Sequence, residues 1–315
     1  LEMIALLLNV RDGDEVIMPS FTFVSTANAF VLRGATPVFV DVDSLTLNID
    51  PDAIRSAITS KTKAIVVVHY AGICCDMDSV LSIGKEYGIP VIEDGAQSFM
   101  STYKGNQLGS LGVMSALSFH ETKNIISGEG GALLLNDPFY AARAEVIREK
   151  GTNRSRFFRG EIDKYTWVDL GSSFLPGEIV AAFLYAQLSS SAEIFKMRHD
   201  AWNVYHTYLD DLENRRLLRR QCIPDYCTHN AHMYFVILNS SEHRHELISY
   251  LKARGIQAVF HYIPLHSSPA GIRYGRISGG MINTDMASER LLRLPMGCCV
   301  DVKKVVREIA GFFAE

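Results

Sequence analysis

The chain has 315 residues, enough for two domains with a sizeable core, and its 48% hydrophobic and 21% charged residues are ordinary for a globular protein. A formal net charge of -4 with no basic run argues against a nucleic-acid partner. No stretch offers the roughly 20 consecutive apolar residues that cross a bilayer, so no membrane partner is expected. The six cysteines are two adjacent pairs, Cys74-Cys75 and Cys298-Cys299, plus Cys222 and Cys227. Adjacent cysteines are poor disulfide partners and CIPDYC lacks zinc-knuckle spacing, so reduced thiols in a cytoplasmic protein without a metal are expected.

In chain order, "LEMIALLLNVRDGDEV" opens with apolar residues at helical spacing and no capping residue. Leu1 therefore reads as a helix interior, and an upstream segment of the fold is expected. "TPVFVDVD" (36–43), "KAIVVVHY" (63–70) and "IPVIEDGAQ" (89–97) are continuous β-branched runs, the pattern of strands buried on both faces. Between them, 50–59 and 76–88 have acidic starts and read as helices, the second closed by Gly88. The alternation predicts helices packed on a largely parallel sheet.

After Tyr103, "VMSALSFH" (113–120) and "GALLLND" (131–137) are strands with no room for a helix between them. A helix over 138–151 leads into an irregular aromatic segment, 152–174, long enough to suggest function. Residues 177–209 read as one long helix. Strands at 232–238 and 257–264 follow, with helices around 243–255 and 301–313. The expected division is a large domain over 1–200 and a small α/β domain over 201–315.

In open α/β sheets the ligand lies beyond the carboxyl ends of the strands. "VIEDGAQ" puts Glu93, Asp94 and Gln97 at such an end, and "SFHETKNIISGEGG" places Lys123 after the next strand, beside Ser118 and a glycine turn. Singly, a capping aspartate and a solvated lysine explain them equally well. Together, a Schiff-base lysine and an aspartate facing a pyridinium nitrogen form the arrangement used by pyridoxal phosphate enzymes.

Those stretches, with "PSFTFVSTANAFVLRGATPVFVDVD", "VHYAG", "YKG", "GEGGALL", "EKGTNRSRFFRG" and "ERLLRLP", together resemble the DegT/StrS sugar aminotransferases over essentially the whole chain and in the family's order. The resemblance implies a fold-type-I α/β/α sandwich with a smaller C-terminal domain. It implies pyridoxal 5'-phosphate as cofactor, passing through pyridoxamine phosphate, a nucleotide-linked keto sugar as acceptor, glutamate as donor, and a homodimer. Carried over by residue, Lys123 forms the Schiff base and Asp94 pairs with the pyridine nitrogen. Gln97 binds the phenolic oxygen, Phe23 stacks on the ring, and Ser118 binds the phosphate. Related sugar dehydratases have histidine where Lys123 stands, so the lysine speaks for transamination. Two departures stand out: the family's small-residue phosphate loop is expected upstream of the helix at Leu1, and Gly95 stands where alanine is usual while "SSFLPGEI" replaces a hydroxyl-and-acid pair, leaving Ser172 and Ser173 as candidates for contact with a partner subunit's phosphate.

Other signals stay open. Arg154 and Arg159 either meet the substrate's diphosphate or are solvated, and His261 and His266 either line the sugar pocket or close a buried strand end. Phe23 is otherwise a core aromatic. Gly128, Gly130 and Gly131 read as turn builders, and the His229/His232 pair has no acidic or cysteine partner close in sequence. A rival reading from another class is a binding or regulatory module on the same fold.

Overall fold

A computed structural model describes residues 1–297 and 299–314; Cys298 lies outside the described residues. Seven strands form the main sheet in the order Arg276–Ile277, Thr36–Val40, Glu15–Pro19, Thr62–Val68, Val91–Asp94, Met114–Ser118, Gly131–Leu135. All neighbours run parallel except the last pair. The β-branched runs sit here because helices cover both faces. Alternate residues of one strand feed opposite cores: Val66 packs with Phe30, Ile92 and Met114, while Ile65 and Val67 pack with Ile54, Val80 and Ile83.

The covering helices begin and end where their sequence directs. Asp50 accepts a bond from the Asp52 N–H ahead of Pro51–Ala57, and Asp76 does the same for Ser79 ahead of Met77–Tyr87. Gly88, at φ 66°, closes the second helix in the left-handed conformation.

A second sheet of three antiparallel strands, Leu218–Arg220, Tyr234–Leu238 and Leu291–Leu294, packs its core on the helices Ser191–Tyr208, Ser241–Ala253 and Val302–Phe312. Two expectations are corrected. The helix expected over 177–209 is two helices, Glu178–Ser189 and Ser191–Tyr208, divided at Ser190 within a run of three serines, which compete locally for backbone hydrogen bonds. The strand expected over 257–264 is a single bridge, Val259 with Arg293, after which the chain turns inward toward Pro264. The Glu15–Pro19 strand, central in the sheet, went unrecognised because its short run follows directly on an apolar helix and turn.

Register aligns the carboxyl ends of the central strands: Val68 is opposite Asp94, and Asp94 opposite Ala116. Period-2 alternation then sends Glu93 and Asp94 to opposite faces. Glu93 is fully buried and accepts from the backbone N–H groups of Gly109 (2.7 Å), Leu111 (2.8 Å) and Gly112 (2.6 Å) and from His69 Nε2 (3.0 Å). Burial alone would raise its carboxyl, but His69 and the N–H groups hold it below the ordinary range. Glu93 is thus a structural anchor for the loop before the Met114–Ser118 strand. Glu93→Ala is expected to cost about 3–5 kcal/mol, leaving its donors unpaired, read as a fall in the urea midpoint.

Candidate functional site

Three strand ends and the loops beyond them make the site. Asp94 ends its strand only 4% exposed. Its Oδ2 accepts from Thr26 Oγ1 at 2.7 Å and its Oδ1 from the Ala96 N–H at 3.1 Å. Thr26 lies in the helix Val24–Val31 and is itself bonded to Thr22 (2.9 Å). The carboxylate is therefore fixed from two elements and has lone pairs left over.

Gln97 is held at both ends of its amide. Its Oε1 accepts from the Ala71 N–H (2.7 Å), so its Nε2 is the donor to Tyr262 OH (3.0 Å). One amide hydrogen and the phenol's own proton stay free for a ligand. Tyr262 is ionised with difficulty because burial raises its pKa.

Lys123 follows the Met114–Ser118 strand in a tight loop, its N–H bonded to His120 O at 2.9 Å. The glycine stretch closes this loop, with Phe119 N–H on Gly130 O and Glu121 N–H on Gly128 O, both 2.8 Å. Burial lowers the pKa of the Lys123 amine, opposed by the charge of Asp94 and assisted by that of Arg293. Among the described residues this amine has no hydrogen bond or ion pair. A half-buried amine with a suppressed charge and no partner is a nucleophile.

Clamps hold this loop. Asn124, next to the lysine, donates from Nδ2 to Asn230 O (2.9 Å), so its Oδ1 accepts from His232 Nδ1 (3.0 Å). Burial keeps His232 neutral, so the ring is the tautomer with its proton on Nδ1. Asn230 reaches the other half of the site, donating to Gln97 O (2.8 Å) and Phe99 O (2.9 Å). It fits only because residue 72 is glycine, at φ 79°: a Cβ there would stand 2.0 Å from Asn230 Oδ1.

The remaining expected residues divide. Phe23 is 57% exposed, its ring centroid 6.4 Å from that of Tyr262, and so presents a free face at the site rather than entering the core. Ser118 ends its strand half-buried, its Oγ accepting from the His120 N–H at 3.4 Å. His261 stands beside Tyr262 and shares a hydrogen bond with Tyr70 OH through Nδ1 (3.0 Å); burial lowers its pKa to about 3, so the ring is neutral. His266 is spent elsewhere, bonded to Ser20 Oγ (2.7 Å) and 3.4 Å from Asp285.

Arg154 and Arg159 are not brought to this cleft within one chain. Arg154 lies over the rings of Phe158 (4.9 Å) and Tyr165 (5.9 Å), and Arg159 pairs with Glu161 (2.6 Å) and Glu145 (3.0 Å). Sequence reasoning passed over Thr26, Tyr70, Tyr262 and Arg293. The last had a signal, a lone charge in the apolar run "LLRLP".

Over residues 1–310 the chain matches the DegT/DnrJ/EryC1/StrS aminotransferase family, and it belongs to that family. It is 35% identical over 270 residues to the spore coat polysaccharide biosynthesis protein SpsC of Bacillus subtilis, covering 82% of this chain and 68% of that protein. The aminotransferase TlmJ of Streptoalloteichus hindustanus superposes with a TM-score of 0.89 at 30% identity, over 99% of this chain and 83% of that one. A putative sugar aminotransferase of Streptococcus pneumoniae, solved in a PLP-form, superposes at 0.87 with 26% identity, over 99% and 83%.

The lowered pKa of Lys123 sets a sign. Between its folded value and the ordinary 10.5, the unfolded chain holds more protons, so the stability of the cofactor-free protein rises with pH through that window. Lys123→Met is accordingly expected to melt higher than the wild type at pH 7, with the difference shrinking as the pH approaches 10.5, measured by scanning calorimetry.

Proposed function

We propose that this aminotransferase works with pyridoxal phosphate to move an amino group from glutamate to the C4 ketone of a nucleotide-linked 4-keto-6-deoxyhexose. The observation that carries the reading is the partnerless, desolvated amine of Lys123 at the same sheet edge as the fixed carboxylate of Asp94. The residues present fit the cofactor: an amine to bind its carbonyl carbon, a carboxylate with spare lone pairs for its ring nitrogen, and an exposed aromatic face in Phe23. Gln97 would meet its phenolic oxygen and Ser118 its phosphate. When bound, the group supplies an electron sink for the pair left by the departing α-proton.

Each side chain then has a task. As a free amine, Lys123 would be the base that takes the proton from the donor's α-carbon. Burial, which lowers its pKa, favours the unprotonated form that this step needs. Asp94 cannot swing away, being held by Thr26 and the Ala96 N–H. In the second half the same lysine returns a proton to the sugar carbon.

The reaction proposed is that of a dTDP-4-amino-4,6-dideoxygalactose transaminase, as in enterobacterial common antigen synthesis, which makes dTDP-4-keto-6-deoxyglucose the substrate to try first. For the diphosphate, Arg154 is the more available of the two arginines, having aromatic neighbours and, among the described residues, no ion pair, where Arg159 already has two carboxylates. A cytoplasmic location suits this chemistry, and among the described residues no helix is long and apolar enough to cross a membrane.

Mixed with pyridoxal phosphate, the protein is expected to show a visible absorption band that bleaches on adding glutamate, and Lys123→Ala to lose the band and about 10³-fold or more in turnover. A wild type without the band would favour the binding or regulatory module. A band without turnover of the dTDP sugar would redirect the search to other nucleotides or positions.

Self-association is also proposed. The twelve-residue helix Glu178–Ser189 has no buried residue, with Ile179 87%, Tyr185 75% and Phe183 49% exposed. Leu184 packs against the core of Phe119, Ile125 and Phe195, but the larger apolar side chains of the helix stay bare, and a second copy of the chain would cover them. Light scattering is expected to give a dimer, and Ile179→Glu with Tyr185→Glu to shift it to the monomer.

A further inference from the structure

The cleft uses none of the free thiols, and two of them meet. Cys74 and Cys227 are 153 positions apart in the chain, yet the Cys74 N–H donates to Cys227 Sγ at 3.1 Å and the two thiols are in hydrogen-bonding contact. The short strand Thr102–Tyr103 holds both. Cys227 is the cross-strand partner of Tyr103, and Cys74 Sγ faces the Thr102 carbonyl at 3.0 Å. Cys75 is turned away, its Sγ on the Val68 carbonyl (3.3 Å), and Cys222 lies beside Asp43 and Arg219. The pair that is adjacent in sequence is therefore not the pair that is adjacent in space.

The two sulfurs are not equivalent. The bond from Cys74 lowers the pKa of the Cys227 thiol against the opposing effect of burial, and the same bond, together with burial, raises that of Cys74. Cys227 is half-buried, whereas Cys74 is fully buried. The more acidic sulfur is thus the one nearer solvent, with a second sulfur waiting behind it, which is the arrangement of an attacking and a resolving cysteine. Cys74 stands two residues after Gly72 and Cys227 three before Asn230, the pair fitted together beside Gln97.

We propose that Cys74 and Cys227 are a modification site, oxidised by a peroxide to a reversible disulfide that braces the contact between Gly72 and Asn230. In the first step the Cys227 sulfur attacks one peroxide oxygen: an S–O bond forms as the O–O bond breaks, and the departing hydroxide takes the thiol proton as water. In the second, the Cys74 sulfur attacks that of Cys227, an S–S bond forms as the S–O bond breaks, and the hydroxide released takes the Cys74 proton. The sulfurs lose two electrons and the peroxide becomes two waters. Thiols already in contact need little movement to bond, so the link leaves Lys123 and Asp94 in place, and it ties together positions 153 residues apart in the unfolded chain.

Peptide mapping tests it on the wild-type protein, with and without pyridoxal phosphate. The protein is treated with a small molar excess of hydrogen peroxide, its remaining thiols are alkylated in denaturant, and it is digested without reductant. A peptide linking Cys74 to Cys227 is expected, absent before oxidation and returned to two thiols by dithiothreitol. The melting temperature is expected to rise by about 5 °C on oxidation, to fall back on reduction, and not to rise in Cys227→Ser, which keeps the buried Cys74. Cys74 and Cys227 both still alkylated at a dose that oxidises Cys222 or Cys299 would overturn the proposal. So would a sulfinic acid on Cys227 without a cross-link, or a link from Cys227 to Cys222. A Cys74–Cys227 link that lowers the melting temperature overturns the brace. The mapping needs no cofactor, so its outcome is independent of the transaminase reading.

Discussion

The structure is arranged around one costly placement, a lysine amine taken partly out of water without a partner. Burying such a group is unfavourable unless its charge is neutralised or shed, and here burial suppresses the charge. That outcome needs a rigid surround, because a mobile loop would let the amine return to solvent. The rigidity comes from uncharged groups. Asn124, Asn230 and His232 are buried and mutually bonded, and all are neutral. They fix the loop without supplying a carboxylate that would restore the ammonium.

Strand alternation solves the companion problem of keeping one acid in the site and another out of it. Two adjacent carboxylates on a loop would both face the ligand. On a strand they diverge, so Glu93 meets His69 and a row of N–H groups while Asp94 meets Thr26. The parallel sheet thus separates an acid enclosed by the protein from one at the candidate site by a single residue.

Much of this was legible in the sequence, for identifiable reasons. Continuous β-branched runs and capped helices report local energetics, and 36–43, 63–70 and 89–97 accordingly contain strands. Lys123, Asp94 and Gln97 were visible because they follow such strands closely, and the strand ends assemble them. Tyr262 and Arg293 were hidden because their positions depend on tertiary contacts: the inward turn after Val259, and which face of the Leu291–Leu294 strand meets the core. His266 misled for the converse reason, since a histidine near a conspicuous motif has no local signature that distinguishes a ligand contact from a bond to Ser20.

Gly72 shows how much of the site is carried by empty space. Asn230 occupies the volume that a methyl group on residue 72 would take, and from there it ties the Gln97 and Phe99 backbone to the loop that bears Lys123. A residue with no side chain therefore sets the distance between the two halves of the cleft. In engineering terms it is a spacing element: altering it would detune amine and amide together while leaving every reactive side chain in the sequence.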